Sequence, residues 1–402
     1  MPSTLQSSLR SVKHWWRVRL GNSSLPPEEK GAKLPALWID CIRLAGVFLG
    51  VLILTGILLS LNYEPSVRPL SQNGTPVAIA RAYKTVVVNS DTLCVQNEVL
   101  LLPIRAADSV QFPAEHLHNI QIMRDEQGQI LTANAATASI EQRIMQQIPF
   151  GAIIRGVHII SVHCFIGCLV IAFIMLFFRR GYRAPLELIW FQTIGIIVIA
   201  LFSAFTGHIL PWNMLGYVSA QIVLSAASYL PFGETIATIL RSGATLQPAT
   251  LPRMFIIHIL VCPFIMVLML RSVFRLAGKL GDIGRYSRLS YISLAGITII
   301  TLALIAIVVA PFGGYLERLP VDLSRAVSGT SALGPSWYFL PEFQILRIFP
   351  MDLAILILSA WCFFWLLLPF VGVSSHRKRI MMWICGAVLL IFILVLGIGG
   401  LF

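Results

Sequence analysis

Four ionisable side chains in this sequence stand where the surrounding residues are otherwise apolar. Arg155, His158 and His163 open a run that continues apolar to Phe178, and His258 lies one hundred residues after His158 near the start of another such run. Ionisable groups at membrane depth are costly and face a bundle interior or a ligand, so each is a functional candidate. His158 and His258 sit near the same end of their two runs, which places the imidazoles at a similar depth. Two imidazoles on facing helices at matched depth are what axial ligation of one haem iron requires. Interhelical hydrogen bonding is the alternative reading of the same pair. His163 is rotated by about 140° around a helix from His158 and cannot reach the same metal from the same face. Hydrogen bonding or an interface is its expected role.

The elements that must carry these side chains follow from composition. Of the 402 residues 57% are hydrophobic and 12% charged, whereas soluble domains carry about 25% charged residues. The chain therefore reads as an integral membrane protein. Seven windows reach the length of about 20 apolar residues needed to cross a bilayer: residues 38–62, 152–178, 186–211, 252–276, 290–311, 351–371 and 380–401. Basic loops follow the second span (Arg179, Arg180, Arg183), the fourth (Arg271, Arg275, Lys279, Arg285, Arg288) and the sixth (His376 to Arg379). All fall on the side of the basic N-terminus, residues 1–37, and the positive-inside rule makes that side cytoplasmic. The expected localisation is a cytoplasmic membrane, multi-pass, with the N-terminus cytoplasmic and the C-terminus outside. The net charge of +12 is thus accounted for by topology, and no nucleic-acid partner is implied. Within the N-terminus, Trp15 and Trp16 lie among six basic residues with no apolar core close behind. That pattern suits an interfacial segment better than a signal peptide.

Residues 63–151 form the largest extracytoplasmic stretch, expected as a small α/β or β-rich insert. Ile120–Met123 and Gln129–Thr132 read as short strands around the turn at Asp125 to Gly128, with more strand-like material at Val86–Val88 and Val99–Leu102. Residues 212–251 and 312–350, rich in Pro, Gly and aromatics, complete that side. Six cysteines (Cys41, Cys164, Cys168, Cys262, Cys362, Cys385) lie in or beside apolar runs, and only Cys94 is in a polar segment. No CxxC or CxxCH spacing occurs, so neither a zinc site nor covalent haem attachment is indicated.

Five motifs then add a resemblance. Leu54-Thr55-Gly56, Arg155-x-x-His158, Phe205-Thr-Gly207-His-Ile-Leu-Pro211-Trp212, Arg253-Met-Phe-Ile-Ile-His258 and Pro335-Ser-Trp337-Tyr338 through Arg347 occur in this order. Together they resemble the cytochrome b family, over nearly the whole chain apart from the N-terminus and the insert. The resemblance implies an all-α membrane fold. Its haem-binding four-helix bundle comprises residues 38–62 and 152–276, and a C-terminal three-helix part comprises 277–402. Seven spans, with Pro263 five residues after His258, look closer to the split bf type than to the eight-span type. The family reading assigns His158 and His258 as axial ligands of an outer haem b and Arg155 to a haem propionate. Gly56 and Gly207 would leave room for the porphyrin.

The departures from the family pattern concern a second haem and the quinol site. Family members carry second ligands about four turns further along both helices, where this chain has Ala172 and either Ser272 or Val273. The glycines that would accompany them are Ile42 and Thr193 here. One haem is expected and the inner one is not. The family's PEWY glutamate is Ser336, a poor base at neutral pH, and His208 stands where a tyrosine is usual. Pro335, Ser336, Trp337, Tyr338 and His208 form the candidate quinol pocket, with a quinone as a candidate second ligand. Glu342 is nearby in sequence only. Cys41 lies one residue out of register with the cysteine that holds an extra haem in bf-type members.

The leading expectation is a membrane electron-transfer subunit of a quinol–cytochrome c reductase-like complex. Such a subunit would be an oxidoreductase component with an altered quinol site, homodimeric or joined to Rieske-type or c-type cytochrome proteins. The alternative is a non-catalytic scaffold that anchors peripheral redox partners. A transporter is a third class, against which the spans lack paired carboxylates and an inverted repeat.

Overall fold

A computed structural model describes residues 34–68, 134–279 and 335–370, the backbone of strands within 71–122, and short helical pieces within 295–302 and 380–391. Among the described residues five helices are long and apolar enough to cross a membrane, and the chain is an integral membrane protein. They are α1 (Ala36–Ser60), α3 (Gly151–Phe178), α4 (Glu187–Ile209), α7 (Thr250–Lys279) and α9 (Met351–Phe370). Each matches an expected span to within a few residues. The fifth and seventh expected spans, and the basic N-terminal segment, fall largely or wholly outside the described residues.

These helices are hydrophobic nearly all round, as helices buried on one side by protein and on the other by lipid must be. In the bundle α1 lies along α3 and α4 along α7, with α3 joining the two pairs. The bundle has two unlike ends. At one end, where α3 and α7 begin, lie His158 and His258. The far end, where α3 finishes, is solid with side chains: Trp38, Ile42, Leu169, Ala172, Leu176, Phe177, Trp190, Thr193 and Val273 are each at most 1% exposed. Phe173 sits 4.9 Å from Trp190 and 5.0 Å from Trp365 between ring centres. The Trp190 indole N–H donates to the Trp365 carbonyl at 3.0 Å. A buried indole needs such a partner, and this one ties α9 to the bundle. At the end of α3, Gly181 N–H donates to the Leu176 carbonyl and Arg180 N–H to Phe177. Arg179, Arg180 and Arg183 follow, where cations suit the helix dipole.

The histidine end is covered by shorter elements. A two-residue strand β1 (Ser71–Gln72), β2 (Thr75–Val88), β3 (Asp91–Pro103) and β4 (Asn119–Ile122) form an antiparallel sheet in which β1, β3 and β4 all pair with β2. The strand-like stretches at 86–88 and 99–102 are parts of β2 and β3. Of the stretch 120–123, expected as a short strand, residues 120–122 lie in β4, where Asn119–Ile122 pairs with Ala80–Tyr83 on β2. That partner lies 36 to 42 residues back along the chain, and no local signal in the sequence shows it. Gln129–Thr132 lies outside the described residues. A helical turn, α2 (Ala135–Ala138), runs on as a π-helix (Ser139–Gln147) into α3. The stretch 212–251, for which the sequence named no element, holds α5 (Met214–Ala227) and the amphipathic α6 (Gly233–Arg241). Asn213 caps α5 by accepting from Gly216 N–H at 2.9 Å. The segment Trp337–Phe339 is a 3-10 turn leading into α8 (Leu340–Ile348).

Candidate functional site

His158 is about two turns into α3, and its Nδ1 lies 2.8 Å from the Thr55 hydroxyl of α1. That hydroxyl donates its own hydrogen to the Val51 carbonyl at 2.7 Å. Thr55 can then only accept, so Nδ1 of His158 carries the ring proton and Nε2 keeps its lone pair. His258 repeats the device from α4. Its Nδ1 lies 2.9 Å from the Ser203 carbonyl, which has no hydrogen to give and must accept. Thr206 donates to the same carbonyl at 2.8 Å and stands 3.2 Å from Nδ1. Fixing Nδ1–H in this way is how a protein presents Nε2 to a metal. Among the described residues neither Nε2 has a hydrogen-bonding partner. Local backbone contributes to the placement, because His258 lies in a five-residue π-turn, Ile257–Val261, immediately before Cys262-Pro263. Proline lacks an N–H and its ring crowds the carbonyl four residues back, here that of Ile259. Widening the turn relieves that crowding, and π-turns of this kind recur at functional sites.

The two imidazole rings face each other with centres 6.3 Å apart and planes 64° apart. A metal–imidazole bond is about 2 Å and the ring centre lies roughly 1 Å beyond the nitrogen, so two imidazoles sharing one metal would have ring centres no more than about 6 Å apart. The pair fits a bis-imidazole metal group. Two glycines flank it: a Cβ at Gly207 would stand 2.8 Å from His258 Cε1, and one at Gly56 would stand 3.4 Å from His158 Cε1. Thr55-Gly56 and Thr206-Gly207 thus bring a hydroxyl and a bare backbone to each ring. Arg155 is one turn from His158, with a guanidinium nitrogen 3.8 Å from Met145 Sδ.

A second cluster gathers the other candidate residues. His208 Nε2 lies 3.1 Å from the Ser336 hydroxyl and 3.3 Å from the Tyr338 hydroxyl. Trp337 donates its indole N–H to His163 Nδ1 at 2.9 Å, and the His163 ring lies 5.4 Å from that of Tyr338. Ser336, Trp337, Tyr338 and His208 therefore come together, with Pro335 opening the segment, and His163 takes the expected hydrogen-bonding role. Nothing in the local sequence shows that His163 belongs to this cluster, because its partner is 174 residues away. Glu342 does not join. Among the described residues its Oε2 is buried without a hydrogen-bond partner, and burial pushes its carboxyl above the usual range.

At the far end, Ala172 and Val273 are fully buried, and Ser272, the other position considered from spacing, is only half-buried. The Thr193 hydroxyl donates to the Ile189 carbonyl at 2.8 Å, within its own helix. The Met269 methyl packs onto Gly195, in the space a Cβ there would need. Among the described residues at this end no imidazole is present, and Ile42, Ala172, Thr193 and Val273 are each at most 1% exposed.

Comparisons with known proteins agree in direction. Residues 129–278 match the family model described as cytochrome b/b6/petB, and residues 326–401 match that of cytochrome b (C-terminal)/b6/petD. The cytochrome bc complex cytochrome b subunit of Chlorobaculum thiosulfatiphilum is 30% identical over 269 residues, 63% of this chain. That match spans 63% of the relative, less than two thirds of its length. Cytochrome b6 of Cyanidium caldarium is 31% identical over 144 residues, 36% of this chain and 67% of the relative. A chain of a solved hyperthermophilic respiratory Complex III superposes with TM-score 0.60 at 19% identity, covering 98% of this chain and 89% of that one. At that identity the likeness speaks for the fold alone.

Proposed function

We propose, from the premise that this chain belongs to the cytochrome b family, that it is the membrane electron-transfer subunit of a quinol–cytochrome c reductase-like complex holding a single haem b. His158 and His258 would supply the axial nitrogens, Gly56 and Gly207 the space beside the rings, and Arg155 the charge for a propionate. Haem iron bound there would exchange one electron at a time. The chain's own part is to hold each Nδ1, through Thr55 on one side and the Ser203 carbonyl on the other, so that each Nε2 keeps its lone pair for a metal. The observation that carries the reading is the contrast between the two bundle ends. One presents a matched imidazole pair, and the other packs Ile42, Ala172, Thr193 and Val273 to at most 1% exposure.

The basic residues after α3 assign the far end to the cytoplasm by the positive-inside rule. The haem then lies toward the outer face of a cytoplasmic membrane, with the N-terminus inside and the C-terminus outside. Residues 63–151 form an extracytoplasmic insert between the first two spans, and 277–402 the C-terminal part. Partners of this reading are a second copy and a Rieske-type or c-type redox protein on the outer face. The quinol pocket is made by Pro335, Ser336, Trp337, Tyr338 and His208.

Haem stoichiometry on the purified chain tests the proposal. One reducible haem b per chain is expected, lost in His158→Ala and in His258→Ala. Two haems per chain, or one that survives both substitutions, would refute it. A haem that never changes redox state would leave the scaffold reading in its place.

A further inference from the structure

Removing the carboxylate from the quinol segment leaves a question of chemistry, and the second cluster bears on it. The Ser336 and Tyr338 hydroxyls both approach the one Nε2 of His208, at 3.1 and 3.3 Å. A ring nitrogen has one lone pair or one hydrogen, so two hydroxyls share a single bonding direction. Both distances are at or beyond the long end for such bonds. An incoming hydroxyl can therefore take the place of one of them at little cost. The cluster is also held from a second side. Trp337, next to both residues in sequence, donates to His163 on α3 and so fixes the segment against the bundle. Glu342, the nearest carboxyl along the chain, makes no hydrogen bond to the cluster, and burial favours its protonated form.

We infer that His208 is the proton acceptor for a hydroquinone at this site, in the role that Ser336 cannot fill. The inference rests on the quinol reading of the pocket given above. In the step, one hydroquinone O–H bond breaks and one N–H bond forms on His208. The products are a hydroquinone monoanion and an imidazolium, and no electron moves. Ser336 and Tyr338 are positioning residues that line the ring nitrogen with exchangeable hydroxyls.

The test uses the full-length, haem-loaded chain with duroquinol as reductant and duroquinone as the binding probe. His208→Gln keeps a polar side chain of similar reach but no base. It is expected to bind duroquinone within about twofold of wild type and to slow haem reduction by duroquinol about 100-fold or more, the usual size of a general-base contribution. Adding Ser336→Glu to that variant puts a carboxylate beside the vacated position and is expected to recover at least about tenfold of the rate. An unchanged reduction rate in His208→Gln, or no recovery in the double variant, would overturn the assignment. Failure of the wild-type chain to bind duroquinone at all would instead remove the quinol reading itself, and this inference with it.

Discussion

Replacing Gly207 by alanine puts the haem assignment under direct pressure. The added Cβ would stand 2.8 Å from His258 Cε1 and 3.4 Å from both ring nitrogens. Carbon atoms in contact prefer about 3.5–4.0 Å, so the ring must retreat by roughly 0.7 Å or more. Retreat is hindered because Nδ1–H is held by the Ser203 carbonyl at 2.9 Å. Overpacking of this kind costs about 1–3 kcal/mol, and weakening the hydrogen bond about 1 kcal/mol more. A total of about 2–4 kcal/mol corresponds to roughly a 30- to 1,000-fold loss of haem affinity. Gly56→Ala is the internal control. Its Cβ would come only to 3.4 Å of His158 Cε1, a tight but tolerable contact that should cost less than about 1 kcal/mol. Titrating haem into the apo-chain in detergent and following the Soret band gives both affinities. Wild-type affinity in Gly207→Ala, or a larger loss in Gly56→Ala than in Gly207→Ala, would show that the ring positions are not those that matter for the cofactor.

Three further outcomes follow from the same geometry. Thr55→Val removes the acceptor for His158 Nδ1–H, makes the imidazole a weaker donor and should raise the haem midpoint potential. At about 0.5–1.5 kcal/mol per hydrogen bond the shift is roughly 20–65 mV for one electron, read by redox titration; a potential that falls contradicts the tautomer assigned here. Introducing Ala172→His with Val273→His restores ligand types at the far end without restoring space. Each ring should cost about 1–3 kcal/mol, seen as a lower Tm with haem content unchanged, and a second haem per chain would refute the packing argument. Glu342→Gln should stabilise the chain increasingly as pH rises. The buried carboxyl has a raised folded-state pKa, so the stability of the wild-type chain is greatest while Glu342 is protonated and declines as pH climbs through that value. The Tm difference between variant and wild type should therefore be larger at about pH 8 than at about pH 5; the reverse trend would mean that Glu342 has a cationic partner.

The described spans were legible because each is a long apolar run bounded by charges or by glycine and proline, a signal that needs no tertiary information. The Thr-Gly pairs and both histidines were legible as motifs, though not the hydrogen bonds that set their tautomers. Those depend on which residue of one helix meets which of another. His163 shows the limit most plainly. Helical phase separated it from the face of His158, yet no local feature pointed to Trp337. The helices Met214–Ala227 and Gly233–Arg241 were hidden by flanking prolines and glycines that mark turns on either side of them. The strand at Asn119–Ile122 was recognised as extended, but its partner on β2 was not, since pairing across a long loop leaves no trace in a short window. Val273 could be separated from Ser272 only by seeing which one faces inward.

The two ends of the long connection between the first and second spans meet. Ala135 and Ala136 N–H donate to the carbonyls of Arg68 and Ser66. Just beyond, the Tyr63 hydroxyl donates to the Leu210 carbonyl at 2.7 Å and the Thr137 hydroxyl to that of Pro211 at 2.9 Å. Whatever hangs between residues 69 and 134 is therefore an appendix on a closed ring. Loop closure depends only weakly on length, so this appendix can grow or shrink while the helices that carry the histidine pair keep their register. A graft that swaps it for a short turn should yield a chain with the same Soret spectrum.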